Sequence, residues 1–134
     1  MKQKVAVGFI LAVLLPSARA EDGGLSAALD EARSGYYEQA ARELAPLAQR
    51  GSSVAQFNLG LMYHSGMGVA HDEAEAVRLY HQAAVNGDAM AQQYLAVGYA
   101  EGWFGLKKDA GKAHFWESQQ GASSASMSSD SAAE

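Results

Sequence analysis

The sequence has no cysteine among its 134 residues, which excludes disulfides and thiolate metal sites. It has only two prolines, and no apolar run reaches the roughly 18 residues that a membrane-spanning helix requires. Basic residues are also scarce, with 10 Lys and Arg against 15 Asp and Glu, and the resulting net charge of −5 repels phosphate backbones and anionic lipids. The fold must therefore be stabilised by packing alone, and nucleic acid is a poor candidate partner.

The first 20 residues have the features of a cleaved secretory signal peptide. Lys2 and Lys4 precede an apolar run over residues 5–15, and Ala18 and Ala20 occupy the two positions that signal peptidase recognises. The apolar run is too short to act as a membrane anchor. We therefore expect cleavage after Ala20, export of the chain, and no membrane insertion after cleavage.

Cleavage would leave a mature chain with seven Lys and Arg against 15 Asp and Glu, which gives a net charge of −8 with neutral His. A chain of this length is enough for one small domain. Residues 121–134 are mostly Ser and Ala and have almost nothing to bury, so we expect a disordered tail there. The folded domain is therefore expected within residues 21–120.

The sequence contains an internal repeat. Five residues recur after 36 positions, and the offset becomes 37 after the last of them, which indicates one additional residue in the second loop. A half-repeat over residues 24–51, a repeat over 52–87 and a degenerate repeat over 88–120 account for the domain. The recurring pairs are Ala55 and Ala91, Gln56 and Gln92, Leu59 and Leu95, Tyr63 and Tyr99, and Gly66 and Gly102.

The spacing of small and apolar residues within each unit is helical, because they recur every three or four positions without strand-like alternation. Glycines mark the turns, and Asp72 is placed as an N-cap with Glu75 three residues later. The sequence therefore predicts an all-α fold of helix hairpins. The predicted helices span residues 25–34, 36–50, 53–64, 72–86, 89–101 and 109–120.

The first full unit has a specific motif of small, aromatic and acidic residues. Its members are Ala55, Leu59, Gly60, Tyr63, Gly66, Gly68, Val69, Asp72, Ala76, Tyr80, Ala83, Ala84 and Gly87. This motif closely resembles that of the Sel-one-like repeat (SLR) family, a branch of the tetratricopeptide superfamily. The second unit departs from the motif, because Ala96 stands where the first has Gly60 and its last helix is degenerate.

This resemblance implies a short right-handed α-solenoid of tetratricopeptide-like hairpins. It also implies an adaptor or scaffold that binds protein or peptide partners, with no shared catalytic residues. Together with the expected signal peptide, it favours the bacterial cell envelope, with a Gram-negative periplasm as the first location and secretion as the second.

Motifs for catalysis and metal binding are missing from the sequence. The four histidines are never three or four residues apart, so no metal site is predicted. Asp72, Glu73 and Glu75 could supply an acid–base pair, but their place at a helix N-terminus favours capping. We therefore expect neither a cofactor nor an enzyme. The alternative is a small periplasmic hydrolase that acts on cell-wall or peptide substrates.

A partner-binding face is predicted from the helical projection of the first helix in each unit. Phe57, Leu61 and His64 lie opposite the repeated residues, and Gln93 and Val97 lie on the same side in the second unit. In tetratricopeptide-like stacks this side lines the concave groove. We therefore expect it to contact a protein or peptide, with the core as the alternative location of Phe57 and Leu61.

Two further apolar pairs lie near the end of the domain. Trp103 and Phe104 occupy a glycine-bounded loop, where they either fold back on the hairpin or contact a partner, so both are candidate partner-binding residues. Phe115 and Trp116 lie on the last predicted helix, which has no following repeat to cover it. This C-terminal hairpin is the candidate surface for weak self-association.

Overall fold

The computed structural model describes residues 24–120, and within them it contains helices and turns but no strand. The prediction of an all-α fold is confirmed, and each helix begins and ends within one residue of its predicted bounds. The expected signal peptide and C-terminal tail lie outside the described residues. The helices are α1 (Leu25–Arg33), α2 (Tyr37–Gln49), α3 (Ser53–Ser65), α4 (Glu73–Val85), α5 (Ala89–Glu101) and α6, which covers residues 110–120.

The helices form three hairpins that stack as an α-helical repeat solenoid. One buried cluster joins α1, α2, α3 and Leu79 of α4, and a second joins α3, α4, α5 and α6. Small residues let the helices approach closely, because a Cβ added to Gly60 would lie 2.8 Å from the ring of Tyr80. None of the helices between residues 24 and 120 is long and apolar enough to cross a membrane.

Four helices begin with a side chain that accepts a hydrogen bond from a backbone N–H three residues later. This contact satisfies one of the N–H groups that a helix N-terminus leaves without an internal partner. It confirms the predicted N-cap at Asp72 and shows that the repeats share their start signal. The capped pairs are Ser52 with Ala55 (3.2 Å), Asp72 with Glu75 (3.1 Å), Asp88 with Ala91 (2.9 Å) and Asp109 with Lys112 (3.0 Å).

The recurring glutamines link each hairpin to the one before it. The side-chain amide of Gln56 donates a 2.9 Å hydrogen bond to the carbonyl of Ala48, near the end of α2. The amide of Gln92 repeats this contact at 3.1 Å with the carbonyl of Ala84, near the end of α4. Both glutamines are buried, and a buried amide is costly unless it is hydrogen-bonded. The recurrence of glutamine after 36 residues therefore has a structural cause.

Candidate interaction groove

The floor of a groove is formed by one stripe of side chains along α5. Met90, Gln93, Tyr94 and Val97 follow the i, i+3, i+4, i+7 spacing that places residues on one face of a helix. Gln93 is exposed, and the other three are half-buried. The stripe is therefore a predominantly apolar surface that remains open to solvent.

The groove wall is the loop between α5 and α6, which contains the additional residue that the change of offset predicts. The N–H of Trp103 donates to the carbonyl of Gly98 at 3.0 Å, as the N–H of Met67 donates to the carbonyl of Met62 at 3.0 Å. Trp103 thus occupies the position of Met67. Because the glycine that follows Met67 corresponds to the one that follows Phe104, Phe104 is the inserted residue.

Phe104 has an unusual backbone conformation that its aromatic contacts compensate. Its φ of 60° lies in the left-handed region, which costs an L-residue about 1 to 2 kcal/mol. The ring stacks on Tyr94 with centroids 5.8 Å apart and meets the edge of His64 at 4.9 Å and of Tyr80 at 5.9 Å. Each such aromatic pair contributes about 0.5 to 1.5 kcal/mol. Gly98 makes room, because a Cβ there would lie 3.1 Å from the Phe104 ring.

The stripe on α5 and the loop after it border a cavity of about 300 Å³ that is open to solvent. Trp103 stands at its edge with 53% of its surface exposed. Five of the seven predicted partner-binding residues are therefore brought together in one place. The residues that line the cavity are His64, Met90, Gln93, Tyr94, Val97, Trp103 and Phe104.

The other two predicted partner-binding residues are buried in the core. Phe57 is 2% exposed and Leu61 is 0% exposed, so a partner seated on the surface does not reach either side chain. The ring of Phe57 contacts Tyr94 at 5.1 Å and Tyr80 at 5.6 Å. The prediction that they contact a partner is therefore wrong, because the following hairpin covers their face of α3, and the alternative core location is correct.

Comparison with known proteins identifies the family. The model of the Sel1 repeat matches residues 53–88 and 89–116. The chain therefore contains two Sel1 repeats. It is similar to the crystal structure of a Sel1 repeat protein from Oxalobacter formigenes, with 25% identity, a TM-score of 0.63, and coverage of 90% of this chain and 92% of that chain. No curated protein sequence matches it. Sel1 repeat proteins are generally protein-interaction modules.

Two residues that line the groove were missed by sequence reasoning. Met90 and Tyr94 share the helical stripe of Gln93 and Val97, so the helical projection contained the signal. The comparison of repeats hid Tyr94, because the first unit has Asn58 at that position and buries it. The residues of this stripe are therefore found at positions where the two repeats differ, rather than at the positions that recur.

His64 is the histidine among the residues that line the groove. Burial lowers the pKa of His64 below its ordinary value of 6.5, the Glu73 carboxylate opposes this effect, and His71 reinforces it. The Nδ1 atom is buried and has no hydrogen-bond partner among residues 24–120. A second imidazole, that of His81, also has its pKa lowered by burial and by the nearby Lys112. Both rings therefore favour the neutral form in the folded protein.

Acidification is expected to destabilise the domain through these two histidines. The unfolded chain takes up their protons near the ordinary pKa of 6.5, whereas the folded chain does so only at lower pH. Their contribution to stability is therefore complete above this value and is lost as the pH falls through it. Urea unfolding between about pH 7.5 and 5.5 should show this slope.

Replacement of His64 by glutamine should reduce that slope, and replacement of both His64 and His81 should reduce it further. His114 provides the matched control, because its side chain is 84% exposed, so His114→Gln should keep the wild-type slope. A double variant with undiminished pH dependence would exclude these two rings as its source.

Proposed function

We propose that this protein is a non-catalytic interaction module of the bacterial cell envelope that binds a protein or peptide in the groove on α5. The observation that carries the proposal is the assembly of five predicted partner-binding residues around one largely apolar cavity. Concave apolar sites with a few polar groups are the usual binding sites of proteins. The proposed location is supported by the signal-peptide features of residues 1–20.

The groove offers a partner both contact area and orientation. Trp103 and Phe104 provide aromatic surface of the kind that dominates binding energy at interfaces. The exposed amide of Gln93 provides a hydrogen-bond donor and acceptor at the rim. A partner that inserts an apolar side chain can therefore be held in one register by a polar contact beside it.

Val97→Glu is the variant that tests the groove. It places a carboxylate among apolar walls that a bound partner would desolvate, which is expected to weaken binding by on the order of 2 kcal/mol or more. Full-length wild-type and variant chains carrying the same affinity tag are crosslinked in their native envelope, and the partners that co-purify are quantified by mass spectrometry. The wild-type partner set should be strongly depleted with Val97→Glu.

Val85→Glu is the matched control. Val85 lies at the end of α4, is 74% exposed and is not part of the groove, so this variant should capture the wild-type partners in full. A folded Val97→Glu chain that also captures the wild-type partners in full would refute the groove as the binding surface.

A hydrolase screen on the purified wild-type chain addresses the alternative function, a small periplasmic hydrolase, because an enzyme turns over its substrate without any partner.

A further inference from the structure

We propose that the occupant of this groove is an amphipathic α-helix of another protein, with basic side chains on its polar face, which lies on α5 as α5 lies on α3. The inference rests on the proposed function and adds the class of partner. It follows from the face of α5 that no helix among residues 24–120 covers, from the inserted aromatic residue and from the charge of the chain.

The groove continues an interface that already exists inside the domain. Phe57 and Leu61 on α3 are covered by the next hairpin, and the ring of Phe57 meets Tyr94 of α5 at 5.1 Å. The equivalent positions 36 residues later are Gln93 and Val97, which face the cavity and are open. A helix bound there would add one further layer to the stack. In that layer it would occupy the place that α5 occupies over α3.

A solvated end cap does not explain this surface. Terminal units of repeat proteins usually present a polar outer face to water, and Gln93 in place of Phe57 fits that rule. Trp103 does not fit it, because more than half of its surface is exposed. Phe104 does not fit it either, since a cap has no need for an inserted phenylalanine held at a φ of 60°. These two aromatic residues form a wall for an apolar ligand.

The dimensions of the groove suit one helix. The stripe from Met90 to Val97 covers two helical turns, or about 10 Å, which is the length over which a helix lying along it presents one i, i+3, i+4, i+7 set of apolar side chains. The cavity of about 300 Å³ is at the lower end of the range of ligand pockets. It therefore accepts one or two apolar side chains from the helix, placed beside Tyr94 and Phe104.

The charges favour a basic partner over a second copy of this chain. Glu101 lies one turn beyond Val97 on the same stripe and is exposed, and the carboxylate of Glu73 lies beside the loop at Gly105. Lys107 and Lys108 follow in the same loop, but the chain as a whole carries a net charge of −5. Two copies repel each other, whereas a basic helix is attracted.

The test pans phage-displayed peptide libraries on the full-length chain, beginning with two libraries of lysine-rich peptides. Both have peptides of about 15 residues, the length at which an isolated helix becomes stable in water, with lysine at the polar positions and randomised apolar residues at i, i+3, i+4 and i+7. In one library a central proline prevents the helix. We expect enrichment from the helical library alone, and a third library with glutamate at the polar positions should yield weaker binders.

The selected peptides are then measured by fluorescence anisotropy of an attached dye. Val97→Trp fills the cavity without a change of charge and should weaken binding at least about tenfold. Val85→Trp adds the same ring outside the groove and should leave affinity unchanged. Sedimentation of both variants and the wild type measures their self-association. Circular dichroism of the same samples measures whether they are folded.

Three results would overturn the proposed helix. The first is enrichment from the proline library only, or from neither library. The second is peptide binding that Val97→Trp does not affect. The third is a wild-type dimer that Val97→Trp dissociates, because a second copy would then be the occupant. In each case, partner capture that still depends on Val97 would leave the proposed function intact. Loss of that dependence would refute both.

Discussion

Replacement of Leu61 by glutamate is expected to unfold the domain. Leu61 is fully buried in the second core cluster, together with Tyr80 and Leu95. Loss of a buried leucine alone costs about 2 to 5 kcal/mol, and a desolvated carboxylate adds several more. The total is comparable with the whole stability of about 5 to 15 kcal/mol of a small domain. Circular dichroism at 222 nm on heating should show no cooperative helical transition.

Val97→Glu is the control for this prediction, because Val97 occupies the position of Leu61 in the next repeat. It lies half-buried at the open groove, so its carboxylate keeps contact with water. The free energy of unfolding of Val97→Glu should stay within about 1 kcal/mol of the wild-type value. A Leu61→Glu chain as stable as Val97→Glu would show that the two positions have the same environment, which contradicts the structure.

Gly68→Ala is expected to destabilise the domain by about 2 to 5 kcal/mol. The φ of Gly68 is 73°, which disfavours any residue with a Cβ, and a Cβ there would overlap the carbonyl oxygen of Tyr37. The loop after α3 or the start of α2 would have to move, because the obstructing atoms are backbone. The free energy of unfolding in urea measures the loss.

Gly51→Ala separates the clash from the backbone strain. Gly51 has a φ of 96° but no atom within 4 Å of an added Cβ. This variant should lose only about 1 kcal/mol, the conformational cost of the left-handed region. If both alanine variants lost the same amount, the close approach of the loop to α2 would contribute nothing to stability.

The fold was predictable because each repeat carries its own local signals. Asp72 caps its helix through a contact with a residue only three positions later, so the cap does not depend on distant parts of the chain. The stripe of Ala55, Leu59 and Tyr63 needs only a neighbouring helix to cover it. Gln56 and Gln92 make the same contact in successive hairpins. Nearest-neighbour contacts of this kind translate a recurring sequence directly into a recurring structure.

The site was only partly predictable, because a helical projection identifies a face but not what covers it. Leu61 and Val97 lie on equivalent faces of α3 and α5. The hairpin that contains α5 covers Leu61, whereas no described helix covers Val97. The change of offset predicted an insertion. It did not predict that Phe104 would adopt a φ of 60° and stack on Tyr94. Both facts depend on tertiary contacts that single-repeat patterns do not contain.

The inserted phenylalanine has a consequence for how such proteins diversify. Trp103 keeps the hydrogen bond of its counterpart Met67, and the N–H of Asp109 closes the loop on the Tyr99 carbonyl at 2.9 Å, as that of Asp72 does on Tyr63 at 2.9 Å. The extra residue thus leaves the stack in register. A single inserted codon can therefore give one repeat a new surface while the rest of the array stays unchanged, so evolution can alter such a protein one loop at a time.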